Sequence, residues 1–247
     1  MTDRNAFLAK IADHLGKKRD RRVQPDVSTH LAETREQASA RADRMRKEAR
    51  DNATALLSAL QEGATAQGWV VHRVPSPEDA ADAVIDICQR SAARSVLLAR
   101  MEALSRVPVE KTLKAAGIDV TVAARPEGEA YSEEARLAVR RAAFTADVGI
   151  TGVDYAVAET GTVVLHPRGG VSRLVSLAPP RHIAIIEKGQ VLPSLDELFA
   201  LEREAFHAGR LTSSYNLISG PSRTGDIGAT IVQGVHGPVE VHMVLIG

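Results

Sequence analysis

The sequence predicts an α/β fold, in which a mostly parallel sheet carries helices on both faces and follows an N-terminal helical extension. From Gly68 onward, short apolar runs alternate with amphipathic segments, as strands alternate with crossover helices. Aromatic residues make up only 3% of the 247 residues, so Ala, Val, Leu and Ile must fill the core, which suits helices packed on parallel strands. We therefore divide the chain into an N-terminal helical arm, residues 1–65, and an α/β domain, residues 66–247.

The arm shows helical patterns. Four apolar residues at helical spacing before Gly16 predict a short helix over residues 7–15. The basic stretch at residues 17–22 has no aromatic residues to stack on bases, so we interpret it as a linker and expect no nucleic-acid contact. A thin, alanine-rich stripe from Leu31 to Leu60 predicts a long helix that packs either on the main domain or on a partner.

In the domain, cap patterns mark the helix starts. Ser76, Pro108, Ser132 and Ser194 each precede an amphipathic segment, and Glu197 completes a capping box with Ser194. The apolar runs predict strands near residues 69–74, 95–99, 118–122, 147–150, 162–165, 183–187, 215–219 and 239–245.

Composition excludes several classes of protein. The formal net charge is zero, so no global field attracts nucleic acid or an anionic membrane. There is no apolar run long enough to span a membrane, and the first residues do not resemble a signal peptide, so we expect a cytoplasmic protein. Cys88 is the one cysteine, which excludes an intramolecular disulfide and a Cys-ligated iron–sulfur cluster. Its apolar surroundings predict a buried thiol.

The first of three polar, glycine-bearing segments, residues 149–162, contains two carboxylates near strand ends, where open α/β sheets bind ligands. Asp154 and Glu159 could act as a base, a nucleophile or an anchor for substrate hydroxyls. Alternatively, both carboxylates cap the turn. The neighbouring residues that could contact an anion are Thr151, Gly152, Thr160 and Gly161.

The second segment places Arg181 and His182 after two prolines, at the start of a strand. Arg181 could hold a carboxylate in a bidentate fork, and His182 could transfer a proton. Alternatively, His182 is a structural, hydrogen-bonded residue.

In the third segment, residues 218–227, a strand ends in a small polar loop and a helix is predicted to begin near Gly225. The free N–H groups of a helix start would bind an anion. Plain N-capping by Ser222 or Thr224 is the alternative. The loop lacks the residues of a Walker A or dinucleotide motif, and no metal-site motif is present elsewhere. The candidate anion ligands are Ser219, Gly220, Ser222, Arg223 and Thr224.

Five stretches of the chain resemble, in the same order, the lactate utilization protein C family, which is built on the LUD domain. They are residues 146–152 (ADVGITG), 158–162 (AETGT), 180–184 (PRHIA), 218–222 (ISGPS) and 234–238 (GVHGP), and they span roughly residues 145–247. The resemblance implies a fold shared with sugar-phosphate isomerases, CoA transferases and the folate cyclo-ligase. It also implies a role with two iron–sulfur proteins in converting L-lactate to pyruvate.

Two functional hypotheses follow. In the first, the chain is a non-redox subunit that binds a small carboxylate such as lactate, holds no cofactor itself and relies on iron–sulfur clusters of its partners. Arg181 and Arg223 would hold the anion, while Glu159, Asp154 or His182 would handle a proton. In the second, the chain is a stand-alone isomerase or transferase for a phosphorylated or CoA-linked substrate. Glu159 lies in a glycine-rich turn similar to that of the CoA-transferase nucleophile, although the surrounding sequence does not match closely.

Overall fold

The computed structural model describes residues 32–123, 132–168, 171–227 and 230–247, together with Lys10. The remainder of the helix predicted over residues 7–15, and the basic linker, lie outside these residues. Within them the helices are α1 (Arg35–Asp51), α2 (Ala53–Gln67), α3 (Pro77–Arg90), α4 (Val109–Ala115), α5 (Glu133–Thr145), α6 (Arg173–Leu177) and α7 (Leu195–His207). The strands are β1 (Val70–Val74), β2 (Ser95–Ala99), β3 (Asp119–Ala123), β4 (Val148–Thr151), β5 (Tyr155–Val157), β6 (Thr162–Leu165), β7 (Arg181–Glu187), β8 (Val191–Leu192), β9 (Asn216–Ile218), β10 (Arg223–Ile227), β11 (Thr230–Gln233) and β12 (Glu240–Ile246).

The helix starts follow from side-chain capping. Ser76, Ser132 and Ser194 each accept a hydrogen bond from a backbone N–H in the first turn of α3, α5 and α7. Glu197 completes the capping box at α7 by accepting from the Ser194 backbone. The predicted starts of these helices are confirmed.

Six strands form the main sheet in the order β1-β12-β7-β4-β2-β3, and every neighbouring pair is parallel. β7 and β4 lie at the centre and are buried along most of their length. The predicted α/β architecture with a mostly parallel sheet is confirmed.

Helices cover both faces of this sheet. His242 and Val241 are consecutive on β12 and therefore point to opposite faces. On the His242 face lies α3, whose Ile87 lines a cavity together with His242. On the Val241 face lies α6, so close to β4 that a Cβ at Gly149 would overlap the carbonyl oxygen of Val175. The core between these layers consists mainly of Ala, Val, Leu and Ile, as predicted.

A second, four-stranded sheet has the order β8-β5-β6-β9, and β10 pairs with β11 in a separate antiparallel hairpin. β5 and β6 are antiparallel and joined by residues 158–161. So short a connection cannot cross over to a parallel strand, which requires a dozen or more residues. The runs near residues 162–165 and 215–219 are strands as predicted, but they belong to this second sheet.

Two helix predictions are wrong. The single helix predicted to reach Leu60 is divided at Asn52, whose side-chain amide donates to the Glu48 carbonyl oxygen and competes with the helical ladder. The helix predicted near Gly225 is instead strand β10. The partner strand β11 begins Thr230-Ile231-Val232, a β-branched run that favours a ladder over a helix.

The alanine stripe of the arm packs on the rest of the chain. Helix α1 lies against α7, where Ala42 and Ala49 join Leu198 and Leu201 in a small core. Helix α2 buries Leu57, Leu60 and Ala64 in the same core as the main sheet. Of the two alternatives for the stripe, packing on the main domain is the one observed.

Cys88 on α3 is fully buried, as predicted, and burial raises the pKa of its thiol to about 11. Among the described helices, none combines the length and the apolar composition needed to cross a membrane.

Candidate functional site

A cavity of about 530 Å³ opens where β2, β4 and β7 end. β4 lies between β2 and β7, so the cavity sits beyond the carboxyl ends of three adjacent parallel strands, where open α/β sheets bind ligands. We call it, together with His166 and Glu202 behind it, the carboxyl-edge site. The lining residues are Met101, Glu102, Ser105, Arg106, Val153, Asp154, Arg168, Glu187 and Gln190.

Asp154, a predicted site residue, occupies this site. β4 leads to it through Gly152 and Val153, both buried. Its carboxylate accepts hydrogen bonds from the His166 backbone N–H at 2.7 Å and from Arg168 Nη1 at 2.9 Å. Burial raises the pKa of Asp154, but these partners outweigh it and hold the pKa below its usual value. Asp154 is therefore ionised at neutral pH.

His166, the residue that follows β6, lies between two carboxylates. Its Nδ1 is 3.1 Å from Asp154 Oδ2, and its Nε2 is 2.8 Å from Glu202 Oε1. The rings of Tyr155 and Tyr215 flank it at centroid distances of 6.3 and 5.9 Å. Hydrogen bonds to both carboxylates raise the pKa of His166 to about 9, although burial acts in the opposite direction. At neutral pH this imidazole is protonated and donates from both nitrogens.

Two arginines bring cationic hydrogen-bond donors to the cavity. The side-chain hydrogen bonds of Arg168 to Asp154 and to the His166 carbonyl oxygen all use Nη1, which leaves Nε and Nη2 without a partner among the described residues. Arg106 pairs with Glu187 across the cavity. Free guanidinium donors match a carboxylate in bidentate geometry, so the site can bind a small organic anion.

Four residues of the site were not predicted from the sequence: His166, Arg168, Arg106 and Glu202. His166-Pro167-Arg168 directly follows an apolar run that was predicted as a strand, and this polar strand end is the signal that could have revealed two of them. Arg106 and Glu202 join the site only through the tertiary fold. Nothing in their local sequence distinguishes them.

Thr151 and His182 lie inside the protein, on the neighbouring central strands β4 and β7. Thr151 Oγ1 and His182 Nε2 are 2.9 Å apart, and both side chains are buried on the face that α6 covers. Burial lowers the pKa of His182 to about 3, so the ring is neutral. The proton-transfer role predicted for His182 stays a prediction.

Arg181 lies at the amino end of β7, at the opposite edge of the sheet from Asp154. Its Nε donates to Glu240 Oε2 at 2.8 Å. The structure therefore does not bring Arg181 and Asp154 together.

The turn that carries Glu159 packs on helix α2. Glu159 itself is exposed, and its backbone N–H donates to the Pro193 carbonyl oxygen. Gly161 has a φ of +60°, and a Cβ there would lie 2.5 Å from the Ala64 backbone, so close packing explains this glycine. The catalytic role of Glu159 stays a prediction.

Thr160 and Ser219 belong to one chain of hydroxyl groups. Thr162 Oγ1 is 2.7 Å from Thr160 Oγ1 and 2.6 Å from Ser219 Oγ. Next to Ser219, Gly220 has a φ of +116° and approaches the end of α2 near Gln67. The first and third predicted segments are thus joined here by hydrogen bonds between their hydroxyl groups and by packing on helix α2.

The remaining residues of the third segment form turns and a strand. The Ser222 backbone N–H donates to the Pro238 carbonyl oxygen, and its carbonyl oxygen accepts from the Gly234 N–H. Its hydroxyl accepts from the His236 N–H. Arg223 and Thr224 begin β10, so the helix start expected to bind an anion is absent at this position. The anion-binding role of this segment stays a prediction, without the helix that motivated it.

Comparison with known proteins adds two kinds of finding. The chain is 42% identical over 113 residues to lactate utilization protein C of Exiguobacterium sp., covering 44% of this chain and 48% of the relative. It is 39% identical over 102 residues to lactate utilization protein C of Bacillus subtilis, covering 41% of this chain and 42% of the relative. The chain thus matches about half the length of these curated relatives or somewhat less.

A solved structure of a DUF162 family protein from Deinococcus radiodurans has a similar fold, with a TM-score of 0.51 at 20% identity over 79% of this chain and 98% of that one. The sequence model of the LUD domain matches residues 57–246. This match covers most of the chain and confirms the resemblance carried by the five stretches of residues 146–238. The chain belongs to the LUD domain family.

Proposed function

We propose that this chain is a non-redox subunit of a system that oxidises L-lactate to pyruvate, and that it binds a small carboxylate at the carboxyl-edge site. Electrons would pass to iron–sulfur clusters held by two partner proteins. The name of the matched relatives, lactate utilization protein C, supports the pathway. The observation that carries the binding step is that Arg168 is anchored on Asp154 through Nη1, while its Nε and Nη2 have no partner among the described residues.

The available hydrogen-bond donors of the site, and not its net charge, favour a carboxylate: three positive groups face the four carboxylates of Asp154, Glu202, Glu187 and Glu102. Arg168 and Arg106 line the cavity, and protonated His166 adds a third positive charge behind Asp154. Asp154 and Glu202 neutralise His166 and fix its ring, so neither is free to bind the ligand. A cavity of about 530 Å³ lies within the ordinary range for small-molecule sites.

Hydroxyl recognition would come from the acceptors at the same cavity. Glu187 and Glu102 both line it, and a carboxylate oxygen accepts a hydrogen bond from a 2-hydroxyl group. Glu187 is already held by Arg106 and so presents a fixed acceptor. A 2-hydroxy acid would then place its carboxylate at Arg168 and its hydroxyl at Glu187.

This proposal assigns the anion to Arg168 and Arg106 in place of Arg181 and Arg223. Arg181 is paired with Glu240 at the other edge of the sheet, and Arg223 lies in a hairpin strand against Gly68. The alternative, a stand-alone enzyme for phosphorylated or CoA-linked substrates, rested mainly on an anion loop at a helix start. Because residues 223–227 are a strand, no helix start supports this alternative, and the anion-binding role of the loop stays a prediction.

The binding step is tested by calorimetric titration of the purified full chain with L-lactate, pyruvate and acetate. We expect saturable binding of L-lactate. Binding should be at least tenfold weaker in Arg168→Gln, because the variant loses both the positive charge and the paired N–H donors of the guanidinium group. Arg136→Gln, an exposed arginine on α5, is the matched control and should bind like the wild type. Equal affinity in wild type and Arg168→Gln would contradict the assignment of the site.

The subunit role is tested separately, by gentle anaerobic purification of the tagged chain from its native host. We expect extra chains, the absorbance of iron–sulfur clusters and lactate-dependent dye reduction in the eluate. A solitary, colourless and inactive chain would contradict the subunit role even if lactate binds.

A further inference from the structure

A second polar cluster lies at the opposite edge of the main sheet. It consists of His72 on β1, His242 and Glu240 on β12, and Arg181 on β7, and we call it the two-histidine cluster. Its four side chains line a cavity of about 380 Å³ under α3. Nothing in the proposed carboxylate chemistry uses these residues.

The hydrogen bonds of the cluster determine where each imidazole carries its proton. His242 Nε2 lies 2.9 Å from Glu240 Oε1, so this nitrogen donates to the carboxylate and Nδ1 keeps its lone pair. His72 Nε2 is 3.1 Å from that Nδ1. The two nitrogens therefore face each other across a single shared proton.

Both imidazoles are neutral at physiological pH. Burial lowers the pKa of His72, and the nearby His242 and Arg90 lower it further. Burial also lowers the pKa of His242, against the opposing effect of Glu240. Neutral imidazole is the form that ligates metal ions.

We propose that His72 Nε2 and His242 Nδ1 bind a divalent transition-metal ion such as Zn²⁺, which takes the place of the proton between them. His72 would carry its proton on Nδ1 instead, which leaves both facing nitrogens with lone pairs directed at the ion. Imidazole nitrogen suits Zn²⁺, Cu²⁺ and Ni²⁺ better than Mg²⁺ or Ca²⁺.

The distance between the two facing nitrogens is close to what such an ion needs. Two nitrogens on a tetrahedral zinc, each at about 2.0–2.1 Å, are about 3.4 Å apart, which is slightly more than the 3.1 Å observed. The ring centroids are 5.4 Å apart, with an interplanar angle of 27°. Only the N–N separation is close, because the two nitrogens face each other: each ring would also have to turn by roughly 35° for the lone pairs to meet at an ion beside the N–N line.

Glu240 supplies the outer partner that ligating histidines usually have. It accepts from the distal nitrogen of His242 and is itself held by Arg181 Nε at 2.8 Å. A carboxylate in this position orients the ring and makes it a stronger ligand. Sequence motifs do not reveal the pair, because the two histidines are 170 residues apart.

The surrounding charges nearly balance. Arg90 on α3 opposes a cation, Asp86 on the same helix favours one, and Glu240 neutralises Arg181. Among the described residues, no group of three or more His, Cys, Asp or Glu side chains is arranged around a metal position. The ion would thus have two protein ligands and complete its shell with water.

The test uses the full chain, freed of metal with a chelator and titrated calorimetrically with Zn²⁺ at pH 7.5. We expect one equivalent to bind, at least tenfold weaker binding in His72→Gln, and weaker binding in Glu240→Gln through the lost orientation of His242. His236→Gln, which removes an exposed histidine outside the cluster, should leave the affinity unchanged. Circular dichroism of each variant checks that it is folded.

Absence of zinc binding in the wild type would overturn the proposal. So would a wild-type affinity that survives His72→Gln, or one that His236→Gln lowers as much as His72→Gln does. None of these outcomes depends on lactate binding, so this inference and the proposed function can fail independently.

Discussion

His166 Nε2 lies 2.8 Å from Glu202 Oε1 and so joins the end of β6 to the middle of helix α7. Glu202 is only 8% exposed, and a buried carboxylate needs a charged partner to remain ionised. His166 provides that partner while its other nitrogen holds Asp154. One imidazolium thus links the buried face of helix α7 to the cavity beyond the carboxyl ends of the strands.

The stability of the protein should fall as the pH rises from 6.5 to 9. The pKa of His166 is raised to about 9 in the folded chain, above its ordinary 6.5, so its stabilisation is complete below 6.5 and is lost as pH passes 9. The shift corresponds to at most about 3 kcal/mol. Urea unfolding at pH 6.0 and 9.5 measures it. His166→Gln should be less stable at pH 6.0 and lack most of this dependence, and an equal loss in the variant would contradict the assignment.

Glu202→Gln should lower the pKa of His166 toward 6.5, because the imidazolium keeps only Asp154 as a charged partner. NMR titration of the histidine ring protons measures this directly. Glu204→Gln is the matched control, since Glu204 lies on the same helix and pairs with Arg46. If the pKa of His166 is unchanged in Glu202→Gln, Glu202 is not one of the carboxylates that raise it.

Gly161→Ala should destabilise the fold by about 2 kcal/mol or more, because the residue has a φ of +60° and an added Cβ would meet the Ala64 backbone at 2.5 Å. Gly189→Ala is the control. A Cβ there has nothing within 4 Å, so its effect should be within about 0.5 kcal/mol. Urea unfolding compares the two variants, and similar losses would contradict the close packing of the turn on α2.

Leu60→Ala should cost about 2–5 kcal/mol, because Leu60 is fully buried in the core that contains the main sheet. The partly exposed Leu211→Ala should cost much less. Thermal and urea unfolding provide the comparison. Leu60→Ala also tests the predicted domain boundary at residue 65. A loss of stability below about 0.5 kcal/mol would mean that α2 contributes little to the stability of the domain, as that boundary implies.

Cys88 should react with a thiol reagent only when the protein unfolds. Its side chain is fully buried, and its pKa is raised to about 11, so neither access nor thiolate is available at pH 8. A reagent that releases a chromophore on reaction with the thiol allows the labelling rate to be measured by absorbance, with and without urea. Rapid labelling of the native chain would contradict this expectation.

The fold was largely predictable because its signals are local. Alternating apolar runs identify β2, β4 and β7, and the hydroxyl groups of Ser76, Ser132 and Ser194 cap their own helices. The allocation of strands to two sheets was not predictable. It depends on which edges meet in space, which a run such as residues 162–165 does not encode.

The site was predictable only in part, for a related reason. Asp154 follows a buried strand and was identified by that position. His166 acquires its charge from Glu202, which lies 36 residues away on another helix. The helix predicted near Gly225 failed because pairing with β11 outweighs a local capping pattern at Ser222.

Strand β7 begins at Arg181 and ends at Glu187, so it connects the two-histidine cluster with the carboxyl-edge site. Six steps of about 3.3 Å separate these residues by about 20 Å. That is about two and a half times the Debye length of about 8 Å at physiological salt, so a solvent-exposed charge at one edge is largely screened from the other. A molecule as small as lactate cannot span this distance. Any thermodynamic coupling between the two edges would have to be transmitted mechanically, through the hydrogen-bonded ladder of the central strands.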